Sequence, residues 1–391
     1  MKAQIKLIKA RLRSPFVGAW GAVSVRELVL LVLEGSDGQV GWGEAAPLGG
    51  YDGVGIGDVR AALEDCRGEL SSSDGLPRGE LLAACAALTE LPQAIAAIDL
   101  ALLDLAGRRA GKPVWQMLDA HPAEPPSGNA VVAAPEPVAV NATIAASDRA
   151  GAAREATAAL TAGFGAVKLK VGTGDDAGRL AAVRAAAGPQ MAIRLDANGA
   201  WSVREAIAAL RTLAPTGIEL CEEPVSGLAA TRELVDGLDR SHDVPGPGVE
   251  PVRELSASRR VWIAIDETTA QPGALDRRVC DAVCLKIARC GGITGVIDAA
   301  RRARGAGYEI YLASTLDGPL GIAAALHAAA ALEPDRACGL ATLDRFEGCP
   351  DVLPVHEGRI AVPSGAGLGD GLRRWYESVD DGVRVGLSPG G

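Results

Sequence analysis

The chain has 391 residues, 48% of them hydrophobic, and a formal net charge of −10 at pH 7. This length predicts two or three domains, or one large barrel with a second domain. The negative charge argues against nucleic acid and anionic membranes as partners. The N-terminus lacks a signal-peptide core, and the longest apolar stretch, 322–332, is too short to span a bilayer. We therefore expect a cytoplasmic protein that acts on a small molecule.

Antiparallel strands followed by helices are predicted at the start of the chain. Residues 25–33 and 40–44 have strand patterns separated by a Ser-Asp-Gly turn. Helical patterns follow over about 56–70, 79–90 and 93–109. Residues 123–129 have the composition of a linker. We therefore predict an α+β domain over residues 1–125.

A repeat of short apolar runs and helical patterns begins near residue 139 and continues to about residue 345. Apolar runs of this length that alternate with helices are typical of buried parallel strands. The class is therefore α/β, and the architecture of residues 126–345 is predicted to be a TIM-type barrel that carries the active site. A Pro/Gly-rich insertion at 241–258 follows a helix and precedes a strand, which predicts a loop on the face opposite the site.

Three acidic residues stand where predicted barrel strands end. Asp196, Glu222 and Asp266 each follow a short apolar run. The carboxyl ends of the strands in such a barrel form its catalytic rim. Three carboxylates there are hard oxygen ligands that suit Mg²⁺, with Mn²⁺ as an alternative.

Three lysines lie in the same repeat. Lys168 and Lys170 point to one side of their strand, because strand side chains alternate, and Lys286 ends a later strand. Burying such amines is costly unless they act on something. If the lysine pair is on strand two and Lys286 on strand six, the two strands face each other in an eight-strand ring. A metal held by the three carboxylates would then lie between opposed amines.

This arrangement suits the removal of a proton alpha to a carboxylate. A metal-bound substrate carboxylate can hold the negative charge that develops. A neutral lysine can take the proton if burial and a second ammonium lower its pKa. None of the histidines ends a predicted barrel strand, which leaves lysine as the base; they are His121, His242, His327 and His356.

Five segments, in this order, resemble the enolase superfamily and within it the muconate-lactonizing subgroup. They are Lys-Leu-Lys at 168–170, Asp-Ala-Asn-Gly at 196–199, Cys-Glu-Glu-Pro at 221–224, Ile-Asp-Glu-Thr at 265–268, and the run 285–293. Lysine bases beside Mg²⁺ are characteristic of that superfamily. The resemblance implies a modified β/α barrel with an α+β N-terminal capping domain. It also implies that residues 346–391 return to the capping domain, and the extreme end is expected to be disordered.

The resemblance implies a role for each site residue. The metal ligands would be Asp196, Glu222 and Asp266. Lys170 would be the base, with Lys168 beside it holding it neutral and Lys286 opposite. The residues that support this site would be Asn198, Glu223 and Glu267.

The resemblance also implies which residues contact the small-molecule carboxylate substrate. These are Gly291, Gly292, Ser314, Thr315 and Leu316. The two glycines would let backbone amides approach a carboxylate, or would form only a tight turn. Loops at 14–22 and 47–54 are expected to close over the barrel; they include Phe16, Trp20 and Tyr51.

Three stretches, 41–48, 314–332 and 338–344, favour the o-succinylbenzoate synthases, which are dehydratases (carbon–oxygen lyases) of menaquinone biosynthesis. The alternatives are an N-acylamino acid racemase, a dipeptide epimerase or a muconate-type cycloisomerase. A dipeptide epimerase is expected to carry two acids at the eighth strand, whereas Thr342-Leu343-Asp344 supplies only the second. An inactive binding homologue is disfavoured because all six metal-site and lysine positions are filled. A homo-oligomer is compatible with each alternative.

Overall fold

The structure is a computed structural model that describes residues 1–18, 21–72, 74–118, 133–172, 174–240 and 260–385. Several predicted features lie outside the described residues: Trp20, the linker at 123–129, the insertion at 241–258 and the end of the tail from 386. The domain limits proposed at 125 and 345 stay predictions.

The first domain is an antiparallel sheet covered by helices. Its strands are β1 (Lys2–Gly18), β2 (Gly21–Glu34) and β3 (Val40–Ala45), in the order β1-β2-β3. Its helices are α1 (Gly49–Asp52), α2 (Ile56–Asp65), α3 (Arg67–Ser72), α4 (Arg78–Ala86) and α5 (Pro92–Ala110). Helix α5 lies directly on β3. The glycines at 41 and 43 allow this close approach, since a Cβ on Gly41 or Gly43 would overlap a carbonyl of that helix.

The second domain is the predicted barrel. Its strands are β4 (Val138–Ala139), β5 (Ala142–Ile144), β6 (Ala166–Lys170), β7 (Ala192–Asp196), β8 (Ile218–Glu222), β9 (Trp262–Ile265), β10 (Ala282–Leu285) and β11 (Glu309–Leu312). Seven of them form one parallel sheet in the order β11-β10-β9-β8-β7-β6-β5. Cys338 pairs with Val140 at one edge, and Gly339 pairs with Ala313 at the other. These two residues stand in for the eighth strand and close the ring, which confirms the TIM-type barrel.

Helices cover the outside of the barrel. They are α6 (Arg149–Thr161), α7 (Asp176–Ala187), α8 (Val203–Leu213), α9 (Leu228–Arg240), α10 (Ile287–Cys290), α11 (Gly292–Gly305) and α12 (Pro319–Leu332). Short 3₁₀ turns lie at Val114–Met117, Ala214–Thr216, Glu267–Ala270 and Leu343–Arg345. Local sequence fixes some helix starts. Ser202 accepts from the Glu205 amide while the Glu205 side chain accepts from the Ser202 amide, which is a capping box. None of the described helices is long and apolar enough to cross a membrane.

The C-terminal segment contacts both domains. It contains β12 (Val355–His356), β13 (Arg359–Ile360) and α13 (Arg374–Val385), and β13 pairs with β4 of the barrel. The Leu368 amide donates to Asp104 of α5 at 2.8 Å. Trp375 and Tyr376 are 1% exposed, so the start of α13 belongs to the core. The tail therefore contributes to the contact between the capping domain and the barrel.

Candidate active site

Three buried carboxylates stand together at the carboxyl ends of neighbouring barrel strands. Asp196 ends β7, Glu222 ends β8 and Asp266 follows β9, and each residue is 1% exposed. The parallel register pairs Lys170 with Asp196 and Asp196 with Glu222. The strands therefore bring these side chains to one level of the rim.

The three lysines contact these carboxylates. Lys168 Nζ lies 2.7 Å from Asp196 Oδ2 and 2.7 Å from Glu222 Oε1. Lys170 Nζ donates to Asp196 Oδ2 at 2.5 Å and to Asn198 Oδ1 at 2.6 Å. Lys286 Nζ donates to Asp266 Oδ2 at 2.6 Å. Strands β6 and β10 stand four places apart in the ring, so Lys170 and Lys286 approach the carboxylates from opposite sides.

Burial and mutual attraction compete in setting the charge states of this group. Burial disfavours the ammonium of Lys168, but the charges of Asp196 and Glu222 outweigh it and raise the pKa of Lys168 well above its usual value. The pKa of Lys286 is likewise raised, by Asp266 against burial. Burial also acts against the Asp196 carboxylate, yet Lys168 and Lys170 hold its pKa below the usual range. The charge of the Lys168 ammonium is therefore balanced by the carboxylates. That Lys168 holds Lys170 neutral stays a prediction.

The donor set fits a hard divalent cation. Carboxylate oxygens of Glu222 and Asp266 lie within 4.8 Å of each other, and Lys168 Nζ contacts both Glu222 and Asp196. The charges that balance these three buried carboxylates here are amines on flexible side chains. A cation held by the same oxygens would take over that balance and leave the amines able to lose a proton. Carboxylate oxygens are the ligands that Mg²⁺ prefers in proteins.

Asn198, Glu223 and Glu267 lie directly behind the carboxylates. Asn198 connects Lys170 to Glu267, because its Nδ2 donates to Glu267 Oε1 at 2.8 Å. Glu223 accepts the backbone amides of Asp266 at 2.7 Å and Thr268 at 3.1 Å, which fixes the turn that carries Asp266. Burial and the charge of Glu267 raise the pKa of Glu223 to about 8.

Sequence patterns did not indicate Tyr311 or Cys284 as neighbours of the carboxylates. The Tyr311 hydroxyl donates to Glu222 Oε2 at 2.7 Å. Cys284 Sγ and carboxylate oxygens of Glu222 and Asp266 lie within 4.8 Å of one another. Burial raises the pKa of the Cys284 thiol well above its usual value, so the sulfur stays protonated beside the acids. The signal for Cys284 was its position two residues before Lys286, on the same side of one strand.

The capping domain contributes directly to the site. The Tyr51 hydroxyl donates to Asp266 Oδ1 at 2.7 Å and accepts from Lys286 Nζ at 2.6 Å and from Arg289 at 2.9 Å. The Phe16 ring lies 5.9 Å from Lys170 Nζ and lines the same cavity. Both residues belong to the segments 14–22 and 47–54, but the structure places Phe16 in strand β1 and Tyr51 in helix α1 where loops were expected.

A cavity extends from the lysines to a wall of neutral polar side chains. Ser314, Thr315 and Leu316 line it as predicted. The rest of that wall is formed by Asn141, Thr143, Gly339 and Thr342. Ser314 Oγ and Thr342 Oγ1 are 3.0 Å apart. Of the described lining residues, only Asp196 and Asp266 carry a carboxylate, and Asp344 is exposed outside the cavity.

The structure does not place Gly291 and Gly292 in the cavity wall. Both have a positive φ and lie against α5 of the capping domain. A Cβ on Gly292 would lie 2.6 Å from Asp99 Cβ, and one on Gly291 would lie 3.4 Å from Ile95. These glycines therefore allow helix packing between the domains, and the substrate contact predicted for them stays a prediction.

Two family models together match most of the chain. The model for the N-terminal domain of mandelate racemase and muconate lactonizing enzymes matches residues 2–119. The enolase C-terminal domain-like model matches residues 151–374, which is more than half of the chain. The chain belongs to the enolase superfamily.

This enolase-superfamily chain is similar to curated relatives with three different activities. The D-Ala-D/L-Ala epimerase of Cytophaga hutchinsonii is 27% identical over 96% of this chain and 97% of its own length. The N-succinyl-L-Arg/Lys racemase of Bacillus cereus is 25% identical over 82% and 81%. The o-succinylbenzoate synthase of Thermobifida fusca is 33% identical, but over only 56% of this chain and 65% of its own. These similarities support an enzyme, and they favour the racemase and epimerase alternative over the dehydratase.

A solved structure is similar over nearly the whole molecule. It is the dipeptide epimerase from Cytophaga hutchinsonii complexed with Mg and the dipeptide D-Ala-L-Val, with a TM-score of 0.77 and 25% identity over 95% of this chain and 98% of that one. The likeness confirms a capped barrel of the enolase superfamily. It also shows that this neighbour binds Mg and a small-molecule dipeptide.

Proposed function

We propose that this protein is a Mg²⁺-dependent racemase or epimerase. It acts at the carbon alpha to the carboxylate of an amino acid whose nitrogen is acylated. The observation that carries the proposal is the placement of Lys170 and Lys286 on opposite sides of the three carboxylates. Exchange of a proton between two faces of one carbon requires one acid–base group on each face.

Asp196, Glu222 and Asp266 would hold the Mg²⁺ ion, and Mn²⁺ suits the same oxygen ligands. When bound, the ion offsets the charge that develops on the substrate carboxylate as the alpha proton leaves. Tyr51 hydrogen-bonds both Asp266 and Lys286, so it holds a ligand and an amine in fixed relation.

The two lysines divide the proton transfer between them. In one direction, Lys170 Nζ takes the alpha proton from one face and Lys286 Nζ delivers a proton to the other. In the reverse direction the roles exchange. Asn198 holds the Lys170 amine at 2.6 Å, and Phe16 covers it from the capping domain. That cover excludes water while the proton is transferred, and the lysines exchange their protons with solvent between turnovers.

The cavity wall favours one kind of acyl group. The described lining beyond the lysines offers hydroxyls and an amide from Asn141, Thr143, Ser314 and Thr342. A free ammonium, as in an aminoacyl group, would be left without an acidic partner there. Thr342 occupies the place where an epimerase of dipeptides is expected to have its first acid. An N-succinyl amino acid or another acyl group without an amine therefore suits the wall better.

Incubation in D₂O tests the proposal. The protein with Mg²⁺ should incorporate deuterium at the alpha carbon of an N-succinyl-L-amino acid and form the D enantiomer, as followed by NMR and chiral separation. A dipeptide with the same C-terminal residue is the comparison substrate and should react more slowly. Absence of exchange across a panel of N-acylated amino acids would rule the proposal out.

Dehydration of the o-succinylbenzoate synthase type is the second candidate. It is favoured by the neutral wall at Ser314 and Thr342, within two of the stretches that resemble those enzymes. In that reaction Lys170 removes the alpha proton and returns it to the departing hydroxide, while Lys286 stays cationic. Loss of diene absorbance on incubation with Mg²⁺ and the cyclohexadiene precursor would establish this activity. No turnover in either assay would leave the inactive homologue.

A further inference from the structure

Arg26 in β2 is a buried arginine that connects the capping domain to the barrel. The residue is 2% exposed. Every hydrogen-bond partner that the structure gives its guanidinium is a backbone carbonyl. These are Thr315 O and Leu316 O at 3.2 Å from Nε, Glu27 O at 3.0 Å from one terminal nitrogen, Ala46 O at 2.6 Å from the other, and Pro47 O.

Four of these carbonyls belong to two loops that form the cavity. Ala46 and Pro47 follow β3 in the capping domain and lead into Leu48, which lines the cavity. Thr315 and Leu316 follow β11 in the barrel and line the same cavity. One planar cation therefore joins two walls of the same cavity, although Ala46 and Thr315 are 269 positions apart in the chain.

The barrel loop has a backbone conformation that needs such support. Leu316 has φ +58°, in the left-handed region that leucine rarely adopts. A conformation of this kind persists only where the surrounding contacts determine it. The carbonyls on both sides of the Thr315–Leu316 step bond to the same Arg26 nitrogen, and Thr315 Oγ1 lies 3.3 Å from Ala46 O.

We propose that Arg26 is a positioning residue for substrate binding, which fixes Thr315 and Leu316 against Ala46 and Pro47 and so sets the shape of the cavity. For its substrate, the proposal rests on the proposed function. Lysine cannot replace arginine in this role, because its three donors lie on one nitrogen, whereas the guanidinium spreads five donors over three nitrogens and reaches carbonyls on separate loops.

The test compares Arg26→Lys with a matched control, Arg184→Lys. Arg184 also donates only to backbone carbonyls in the described structure, those of Gly188, Met191, Thr216 and Gly217. These lie at the amino ends of β7 and β8, on the face opposite the cavity. Both variants keep a cation and lose the fork of donors. Arg184 is half-buried where Arg26 is buried, so the exchange of the two cavity loops, rather than the loss of stability, is the quantity compared.

Two measurements are made on each full-length variant. With Mg²⁺ and N-succinyl-L-lysine, Arg26→Lys should raise KM at least tenfold and change kcat less than threefold, with Mg²⁺ affinity unchanged. Hydrogen–deuterium exchange of peptides covering 46–51 and 314–318 should become at least tenfold faster in both loops. Arg184→Lys should show none of these changes.

Each outcome decides the question. A lower Tm with unchanged KM and unchanged loop exchange would assign Arg26 a general stabilising role and overturn the proposal. If Arg26→Lys does not fold, Arg26→Gln takes its place, and failure of both to fold overturns the proposal in the same way. If the unmodified protein turns over no N-acylated amino acid, the proposed function fails. The exchange measurement with Mg²⁺ alone then still decides the role of Arg26 in holding the two loops.

Discussion

Two clusters of charged side chains lie at different levels of the same barrel strands. The rim cluster contains Lys168, Lys170 and Lys286 with the three carboxylates. The base cluster contains arginines and glutamates at the amino ends of the strands: Arg194, Glu219, Glu309 and Arg336. Arg194 Nε donates to Glu219 Oε2 at 2.6 Å, and Arg336 Nε lies 2.7 Å from Glu309 Oε2. Arg194 and Asp196 stand two residues apart on one strand, so a single strand supplies both clusters.

The two clusters differ in the kind of cation they use. Arginine stays charged at any pH the protein meets, and its planar fork bonds two oxygens at once. Lysine carries a compact charge that it can give up when its surroundings change. Both clusters offset carboxylates, but only the amines of the rim cluster are suited to exchange protons. The choice of lysine over arginine therefore distinguishes the end at which we propose the chemistry from the end that holds the barrel together.

Removal of a rim carboxylate should have the largest effect. Asp196→Asn or Glu222→Gln should reduce turnover by more than about a thousandfold, because a metal supplies several kcal/mol of charge stabilisation. Calorimetric titration with Mg²⁺ should show the lost binding. Glu219→Gln in the base cluster is the control and should bind Mg²⁺ as the unmodified protein does. Full activity after exhaustive chelation would contradict the metal site.

Replacement of the proposed base should come next in size. Lys170→Arg keeps the positive charge but removes the group that can accept a proton, so alpha-proton exchange should fall by about 10²–10⁴-fold. Arg336→Lys makes the reverse change in the base cluster and should leave kcat within about twofold. Near-normal exchange in Lys170→Arg would show that this lysine is not the base.

Lys286→Arg separates the two candidate reactions. A racemase needs proton exchange on both faces, so this variant should still exchange deuterium into one enantiomer while forming none of the other. A dehydratase needs only a cation at this position, so some turnover should remain. NMR of each pure enantiomer in D₂O provides the measurement. Equal exchange into both enantiomers would mean that Lys286 does not handle protons.

The rim cluster was predictable from sequence because strand geometry converts spacing into position. A carboxylate that ends a parallel strand must lie on the rim, and alternation places Lys168 and Lys170 on one side. The barrel and the capping domain followed from the same patterns and from the resemblance. Short-range sequence patterns therefore predicted those site residues that lie on the strands themselves.

Contacts between distant segments could not be predicted in this way. Gly291 and Gly292 looked like substrate contacts because they follow Lys286. The positions that their side chains would occupy are instead taken by residues of α5. The bonds from Arg26 to Thr315 and Leu316 depend on how the two domains meet, and no local pattern encodes that.

The single helix predicted over 56–70 is interrupted in the structure, since α2 ends at Asp65 and α3 begins at Arg67.

A change in the base cluster should affect stability and spare catalysis. Glu219 bonds to both Arg194 and Arg336, and its side chain is 22% exposed. Glu219→Gln removes the charge that both arginines contact, but Arg194 keeps Ala337 O and Arg336 keeps Glu309, so the free energy of unfolding should fall by about 1–3 kcal/mol. Chemical denaturation gives the loss, and kcat should stay within about twofold. A large fall in kcat at unchanged stability would show that the base cluster contributes to catalysis, which would contradict the separate roles given to the two clusters.

The smallest effect concerns Glu44, a buried carboxyl that belongs to neither cluster. Its oxygens accept from the Gly318 amide at 2.8 Å and from the Tyr376 hydroxyl. Burial, and then the charge of Asp317, raise the pKa of Glu44 from 4.5 to about 7. The folded state therefore binds this proton more tightly than the unfolded state does, and stability should fall as pH rises from about 4.5 through 7.

Glu44→Gln should remove that part of the pH dependence, because glutamine keeps the shape and carries no titrating proton. At about 1.4 kcal/mol per pKa unit, the variant should gain about 2–3 kcal/mol on the unmodified protein between pH 5 and pH 8. Urea denaturation at both pH values measures the gain, and Glu34→Gln at the exposed end of β2 is the control. A gain of this size would show that burial keeps the Glu44 carboxyl protonated in the folded protein near neutral pH. Parallel stability curves for Glu44→Gln and the unmodified protein would show instead that the folded protein holds Glu44 ionised despite its burial.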